Sequence, residues 1–587
     1  MRLWLKDVPT RGDNLFKLQA NGYSFLIAGF FLFLVFLQPA FAVIPLETSP
    51  SWRSLESRAP AESYYSTGAV FGDIDGNGFL DLVISNGNDM LKAPNFVYFN
   101  YNGRLDTTAG WVSANSEYSG HCALGDIDKD GYLELAVSNY INNGWGKIVI
   151  QLYDNVNGSL STSPTWSSAD SMHSFSCAFG DAKGEGYLDL AVACGEAYNN
   201  FNEHNRIYYN HNGVLETIPS WVSGDSGACY DVDWGDVDND GDLDLVFVCA
   251  RGKVKIYKNY GDSIEHFPSW VSKNTDNRNS LAWGDVNNDG YLDLAVANNT
   301  QLGGNGYFEA YLNYGGVLDT LPDWVSSTRG YGSAVSFCDM NNDGYKDLAA
   351  GRWWGNSVVY ENNGGNLGTT PAWTCNSAYE SVVEEMVWGD LDGDGLVRIK
   401  NESHPADGSK KVFYLNHYPA HKLEKVVADG NVLSLTDYCY SLNSGWVSFK
   451  TAPDSQVSFD YKYSLKQDLA VSNWDRENYV FFNQNQLYVK GDVNQDNKVT
   501  VADVVFLVNY LFKGGPEPYY LACGDVNRDC QITVSDVVYL VSYLFKHGPA
   551  PSPLHSADAN FDGKVNLADI VYLVNYLFKG GPPPCVN

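Results

Sequence analysis

Between about Pro50 and Asn483 the chain repeats one arrangement of apolar and polar positions seven times. In its clearest copy, Trp234 to Val248, a polar loop rich in Asp and Gly runs straight into Leu245-Val246-Phe247-Val248, an unbroken apolar run of strand length. A strand rich in aromatic residues follows and ends on Asn100, Asn155, Asn210, Asn259, Asn313, Asn362 or Asn483. A short strand opens on Trp52, Trp111, Trp166, Trp221, Trp270, Trp324 or Trp373. The acidic loops begin at Asp73, Asp126, Asp181, Asp236, Asp285, Asp339 and Asp390, a period of 49 to 55 residues. Four short strands per unit at this period are the pattern of radial blades, and seven blades close a ring without a free sheet edge. The expected fold is mainly β, a seven-bladed β-propeller over residues 50–483.

Two irregularities refine this reading. The last copy ends at Tyr479-Val480-Phe481-Phe482-Asn483 without a Trp strand after it, while the first has a spare one, Ser51-Trp52-Arg53-Ser54. That spare strand is predicted to complete the seventh blade. The seventh loop, Asp390-Leu391-Asp392-Gly393-Asp394-Gly395, is not followed by its Leu-Asp-Leu; the pattern resumes only at Gln467-Asp468-Leu469-Ala470. Residues 397–466 alternate like strands and are expected to form a small β insertion on the surface of blade 7, with Asp468 as the ligand that Arg398 cannot be.

After Lys490 the period changes. A 12-residue loop starting at Asp492 recurs at Asp525 and Asp558, a spacing of 33 residues. Each loop leads into a stretch of helical amphipathicity, such as Val504 to Phe512, stopped by Gly and Pro at Gly514-Gly515-Pro516, Gly548-Pro549 and Gly580-Gly581-Pro582. Residues 490–587 therefore read as a small all-α domain of three loop–helix copies.

The loops carry the chemistry. In the fourth unit Asp236, Asp238, Asp240 and Asp244 stand at positions 1, 3, 5 and 9, with the backbone carbonyl of Asp242 at position 7. Alternate side chains of such a turn converge, and converging carboxylates repel unless a cation lies between them. An all-oxygen set suits a hard ion, Ca²⁺ above all. The third unit departs, because Lys183 sits at position 3 between Asp181 and Glu185. Its ammonium is expected to replace the ion and leave that loop metal-free.

The formal charge of −32 opposes nucleic-acid binding, which needs a basic footprint; much of the Asp is accounted for by the loops. Tyr23 to Leu37 is strongly apolar and is followed by Gln38-Pro39 and Ala40-Phe41-Ala42, so residues 1–42 read as a secretory signal peptide, with a retained membrane anchor as the alternative. Of the eleven cysteines, Cys194 and Cys249 share one repeat position and Cys122 and Cys177 another, which predicts buried free thiols more than bridges.

The seven-fold unit resembles the FG-GAP or VCBS repeat, the propeller unit of integrin α heads and of some fungal lectins. The resemblance implies Ca²⁺ at Asp73, Asp75, Asn77 and Asp81 in the first loop and at Asp126, Asp128, Asp130 and Glu134 in the second. It implies the same for the four Asp of the fourth loop, for Asp285, Asn287, Asp289 and Asp293 in the fifth, and for Asp339, Asn341, Asp343 and Asp347 in the sixth. In the seventh the set is Asp390, Asp392, Asp394 and Asp468. The C-terminal domain resembles a dockerin, the Ca²⁺-dependent module that docks into cohesin modules. That resemblance implies ligands at Asp492, Asn494, Asp496, Thr500 and Asp503, at Asp525, Asn527, Asp529, Thr533 and Asp536, and at Asp558, Asn560, Asp562, Asn566 and Asp569. Three copies stand where the family usually has two, and Cys530 at the sharp position 6 makes the second loop the weakest site. Loop positions 10 and 11 (Val501, Ala502, Val534, Ser535, Leu567 and Ala568) are the implied cohesin contacts.

These features predict a secreted, calcium-binding, non-catalytic recognition protein, its tail attached to a cohesin-type scaffold or cell-surface partner. The alternative is a polysaccharide-degrading component of a cellulosome-like system, since dockerins usually ride on such enzymes. Against it, the carboxylates are spaced as cation ligands, and the ten His form no H-E-x-x-H pattern. The Ca²⁺ loops join the first and second strands, so a glycan or protein ligand is expected on the other side of the disc. Tyr140, Trp145, Trp353, Trp354, Trp474 and Arg476 are the candidates there.

Overall fold

A computed structural model describes residues 44–55, 65–87, 90–485 and 501–524, with the isolated positions 487, 493, 495, 532, 533 and 535. Among the described residues, seven four-stranded antiparallel sheets form the blades, in agreement with the expected propeller. Blade 1 is Ser66–Gly72, Asp81–Asn86, Phe96–Tyr98 and Trp111–Val112, each strand paired with the next. The second strand is the core of each blade: Leu82, Val83 and Ile84 are fully buried, as are Leu245, Val246 and Phe247 in blade 4. Both faces of a blade pack on neighbours, so an unbroken apolar run is stable where a strand with one wet face would alternate.

Aromatic contacts fasten blade to blade. The outer-strand Trp111 of blade 1 meets Tyr153 of blade 2 edge-on at 5.5 Å, and its indole Nε1 donates to the Leu160 carbonyl at 3.1 Å. The same pair of contacts joins Trp221 to Tyr257 and to the Ile264 carbonyl. Six of the seven first strands end on Gly (that of blade 6 ends on Cys338), because side chains of the next blade lie against the backbone there: a Cβ on Gly180 would fall 2.4 Å from Trp234, and one on Gly389 would fall 2.8 Å from Phe71.

The ring closes through its N-terminal segment. Trp52–Arg53 pairs with Tyr479–Phe481 as the outer strand of blade 7, and Trp52 then meets Tyr98 of blade 1 edge-on at 5.3 Å. Residues just before it complete blade 7 from its other end. Leu46 bridges Asn483 as Leu105 bridges Asn100, and the Leu46 carbonyl accepts from Trp373 at 3.1 Å.

The insertion differs from expectation. Its strands form a sheet of Leu396–Pro405, Gln456–Ser464, Ala420–Ala428 and Asn431–Val432, and a second of Val412–Tyr414, Trp446–Phe449 and Tyr438–Ser441. A private core of Val426, Val447, Phe449, Val457, Phe459 and Tyr461 lies between them. The sequence reading puts this segment on its own blade's surface; instead it caps the loop ends of the other blades. The cause is its point of entry: it leaves and returns inside the seventh loop, with Leu396 opposite Ser464, so it projects from the loop side of the ring.

The cysteine expectation holds in part. Cys122, Cys177, Cys194, Cys338, Cys375 and Cys439 are buried free thiols, but Cys229 and Cys249 form a disulfide. They face one another across the first two strands of blade 4, a cross-strand pairing that comparison of repeat positions does not reveal. Beyond the ring, residues 501–513 are helical, and a short turn of helix covers Leu521–Gly524. Among the described residues no helix is long and apolar enough to cross a membrane; residues 1–42 lie outside them.

Candidate metal loops

Each loop folds around its first carboxylate. In blade 1 the Asp73 Oδ2 accepts from the Gly78 amide at 2.9 Å, Asp75 accepts from the Asn77 amide, and Asn77 accepts from the Phe79 amide. The turn needs left-handed backbone at positions 4 and 6, supplied by Gly76 and Gly78 here and by Asn239 and Gly241 in blade 4. The position-9 acid does a second job. Asp81 accepts from Ile74 of its loop at 2.9 Å and from Asn100 at the end of the third strand at 2.7 Å. Asp244, Asp293, Asp347 and Asp468 repeat this bridge with their own loop and third strand.

The carboxylates converge as a cation would require. Oxygens of Asp73, Asp75 and Asp81 lie within 4.8 Å of one another, as do those of Asp126, Asp128 and Glu134, of Asp236, Asp238 and Asp244, and of Asp390, Asp392 and Asp394. Burial pushes Asp81, Glu134 and Asp244 up to about 8 and Asp236 up to about 7, against backbone hydrogen bonds that pull the other way. Four buried oxygens, Oδ1 of Asp73, Asp126 and Asp238 and Oε1 of Glu134, receive no hydrogen bond from protein. Negative oxygens that are clustered, desolvated and short of donors fit a hard divalent ion.

The loops are not equivalent. In blades 5 and 6 the position-3 amides of Asn287 and Asn341 donate to Asp289 and Asp343, satisfying part of the acceptor set internally. In blade 7 the ammonium of Lys466 pairs with Asp394, and Asp468 lies outside the converging trio. In blade 4 Lys258 pairs with Asp238.

The third loop corrects the expectation about Lys183. Its ammonium stands 3.9 Å over the Tyr209 ring instead of entering the loop. The cap fills the place: the Ser448 hydroxyl donates to Asp181 at 2.8 Å, and Lys411 donates to the Gly184 carbonyl at 2.8 Å. Lysine's long stem lets Lys183 reach a better-solvated partner, and sequence spacing gave no sign that Lys411, more than two hundred positions away, would arrive.

The cap touches other loops as well. His421 donates to the Gly78 carbonyl of blade 1, Lys129 of blade 2 to Tyr438, and the Asp236 amide of blade 4 to the Tyr414 hydroxyl. Gly241 accepts from Val412, and Asn342 of blade 6 donates to Leu465 at 2.7 Å. Between cap and ring a cavity of about 370 Å³ is lined by Asp73, Asp126 and Asp390, so three loops share one space.

A model of the FG-GAP-like repeat matches residues 73–137, 186–247, 243–296 and 339–397, and a model of the dockerin type I domain matches 523–578. The chain is an FG-GAP-repeat propeller with a dockerin type I domain. Mouse (Mus musculus) integrin alpha-7 is 30% identical over 142 residues, 21% of this chain and 12% of the integrin. Two solved structures are similar at 10% identity: BBS1N in complex with ARL6DN (TM-score 0.39, covering 75% of this chain and 97% of that one) and the Cps50 (Swd1) β-propeller domain of Myceliophteria_thermophila (TM-score 0.36, 57% and 92%).

The dockerin match takes in the second and third tail loops and begins after the first. Most of the tail ligands lie outside the described residues. Of the others, Asp503, Val501 and Ala502 fall in the first turn of the helix, and Thr533 accepts from the Ser535 amide at 3.1 Å.

On the side of the FG-GAP propeller away from the cap, the aromatic candidates divide. Tyr140 is buried, its hydroxyl between Glu196 and Tyr230, and so is a packing residue. Trp145 is half-buried and gives its carbonyl to His173. Trp354 is 59% exposed and meets Tyr331 edge-on at 5.2 Å, with Trp353 beside it. In blade 7 Trp474 leans on Tyr65, and Arg476 is half-buried.

The residues missed by sequence reasoning are the third-strand Asn side chains. Asn155 donates to the Ile74 carbonyl of blade 1, Asn210 to Ile127 of blade 2, Asn259 to Ala182 of blade 3, Asn313 to Val237 of blade 4 and Asn362 to Val286 of blade 5. Asn100 reaches Leu391 of blade 7. Six of the seven loops are thereby held by the next blade; Asn483 donates instead to the Gln467 carbonyl of its own blade at 3.5 Å. The signal was visible as an Asn at one register in every unit, but register alone does not name the partner.

Proposed function

We propose that this is a secreted calcium-binding protein, non-catalytic, whose propeller recognises a glycan or protein ligand and whose dockerin domain attaches it to a cohesin-bearing scaffold or cell-surface partner. The observation that carries this reading is the dockerin type I domain joined to an FG-GAP ring whose loop carboxylates converge, four of their buried oxygens without a donor. Ca²⁺ in the loops of blades 1, 2, 4 and 7 neutralises those oxygens and stiffens turns that each neighbouring blade grips through its Asn. In the dockerin domain, Ca²⁺ and folding are coupled, because small repeats with several Asp pack poorly without the ion.

The ligand face is opposite the cap. The loop face is occupied by the insertion; on the other side Trp354 and Tyr331 of blade 6 and Tyr198 and Phe201 of blade 3 are exposed, while Trp353 and, in blade 7, Trp474 are half-buried. Such rings offer flat apolar area to a sugar face or a peptide side chain. The test has two arms. A type I cohesin module should capture the full chain in Ca²⁺ and release it in EDTA, and capture that persists in EDTA refutes the docking half. Glycan and protein arrays probed with the native chain and with Trp354→Ala test the other half, which fails if the two give identical spots.

A further inference from the structure

We infer that the first loop–helix copy of the tail is an internal clamp, which mounts the dockerin domain on the cap and leaves the later two copies to meet a partner. This rests on the docking reading above for the partner's existence, but the clamp stands on contacts within the chain. Tyr520 pairs as a β-bridge with Val397, at the start of the cap strand Leu396–Pro405. Its side chain packs against the cap's core and also against the small cluster of Val493 and Leu507, so one residue is common to two apolar centres. Three residues earlier Glu517 is clasped by Arg398 and Lys400 of that same strand and by the Tyr510 hydroxyl at 3.0 Å. The Glu517 side chain is only 14% exposed, and Arg398 is oriented from behind by Glu424 at 2.6 Å.

Several features make this a built contact. Pro516 and Pro518 flank Glu517 and limit the backbone freedom lost on docking. Two cations on one strand edge meeting a single carboxylate, in a chain of net charge −32, select an acidic segment by charge as well as by shape. The dockerin match starts at residue 523, directly after Tyr520, and spans the loops at Asp525 and Asp558. The surplus copy thus coincides with the segment that the cap holds. A partner bound by residues 523–578 is then carried at a fixed point beside the cap.

Hydrogen exchange on the full chain in Ca²⁺, combined with binding of a type I cohesin module, tests this. Peptides spanning 396–400 and 517–524 should be protected together. Glu517→Arg should speed exchange in both by about tenfold, the loss of charge-assisted hydrogen bonds at a partly buried site. Adding Arg398→Glu should restore part of the protection. Cohesin affinity should stay within about twofold of the native chain in all variants, as for a change distant from the interface. Unprotected peptides in the native chain overturn the clamp. So does a loss of cohesin affinity of about tenfold or more in Glu517→Arg, since each tenfold is a full contact's worth at an interface. If the native chain binds no cohesin, the docking reading fails, while the exchange pattern still decides the clamp.

Discussion

Replacing Asn313 by Ala should loosen the joint between blades 4 and 5. The Asn313 amide donates to the Val237 carbonyl of the fourth loop at 2.7 Å and to the Leu292 carbonyl of its own blade at 3.1 Å, and its oxygen accepts from the Gly316 amide at 2.9 Å. The side chain is fully buried, so water does not replace what is lost without rearrangement. A buried polar group left unpaired costs about 1–3 kcal/mol, and with partial relaxation the three groups together cost about 3 kcal/mol. The entropy of unfolding is about 2.1 cal/mol/K per residue, or roughly 0.9 kcal/mol/K over the roughly 430 residues of the ring, which converts that cost into a fall of about 3 °C in Tm. Differential scanning calorimetry in excess Ca²⁺ measures it. The control is Asn363→Ala, an exposed neighbour of the equivalent Asn362 whose one side-chain contact is 3.4 Å long, and it should move stability by less than about 0.5 kcal/mol. If Asn313→Ala melts within about 1 °C of Asn363→Ala, the loops are not fastened by these side chains and the inter-blade argument is wrong.

Three further outcomes follow from other contacts. Asp236→Asn should lower the Ca²⁺ content of the chain by about one ion, measured by atomic emission after dialysis, whereas Asp181→Asn should leave it unchanged, because Ser448 and Lys411 already occupy the third loop. The buried His121 should make stability depend on pH. Burial alone would lower the His121 imidazole from 6.5, but the Glu385 carboxylate at 3.1 Å, then Asp231 and Glu384, outweigh it and hold it at about 9, with the Phe175 ring against it. The folded state therefore binds the proton more tightly: the contribution is complete below 6.5 and is lost as pH rises through 9, so denaturation midpoints should fall over that window and His121→Ala should flatten the slope. Deleting residues 44–54 should expose the strand Tyr479–Phe481 as an open edge and strip Trp373 of its Leu46 acceptor, giving a chain that self-associates in light scattering.

The ring was legible because every blade repeats the same local chemistry. Trp, Gly, the Asp loop, an apolar run and Asn recur in phase, and burial on both faces explains why the second strands read as continuous runs instead of alternating. The converging carboxylates were legible for the same reason, since spacing within a turn is fixed by the turn. What stayed hidden depends on contacts between distant segments. Lys183 stands at a ligand position yet turns to Tyr209, while Lys411 replaces it from the cap. Tyr140 has the composition of a binding residue, but Glu196 and Tyr230 enclose its hydroxyl. Cys229 and Cys249 are joined across a strand pair, and the one-residue irregularity between Cys229 and Asp231 sets which cysteine faces which.

The position of the cap limits what the molecule can present. A strand pair that leaves a propeller within a loop between its first and second strands emerges on the loop side, and pairing of Leu396 with Ser464 at its base keeps it there. From that root, Tyr414 and Lys411 reach the fourth and third loops, His421 the first and Asn342 of blade 6 meets Leu465. An ion in these loops would therefore be coupled to the cap: a cation drawing Asp236 and Asp244 together would also fix the amide that Tyr414 accepts from. Removing Ca²⁺ should then raise exchange in the cap strand Val412–Tyr414 as well as in the loops, although no side chain of that strand belongs to a converging carboxylate set. An exchange rate for that strand that is the same in Ca²⁺ and EDTA would mean that cap and ions act independently, and the loop face would then be a lid on a ring that needs no cation to seat it.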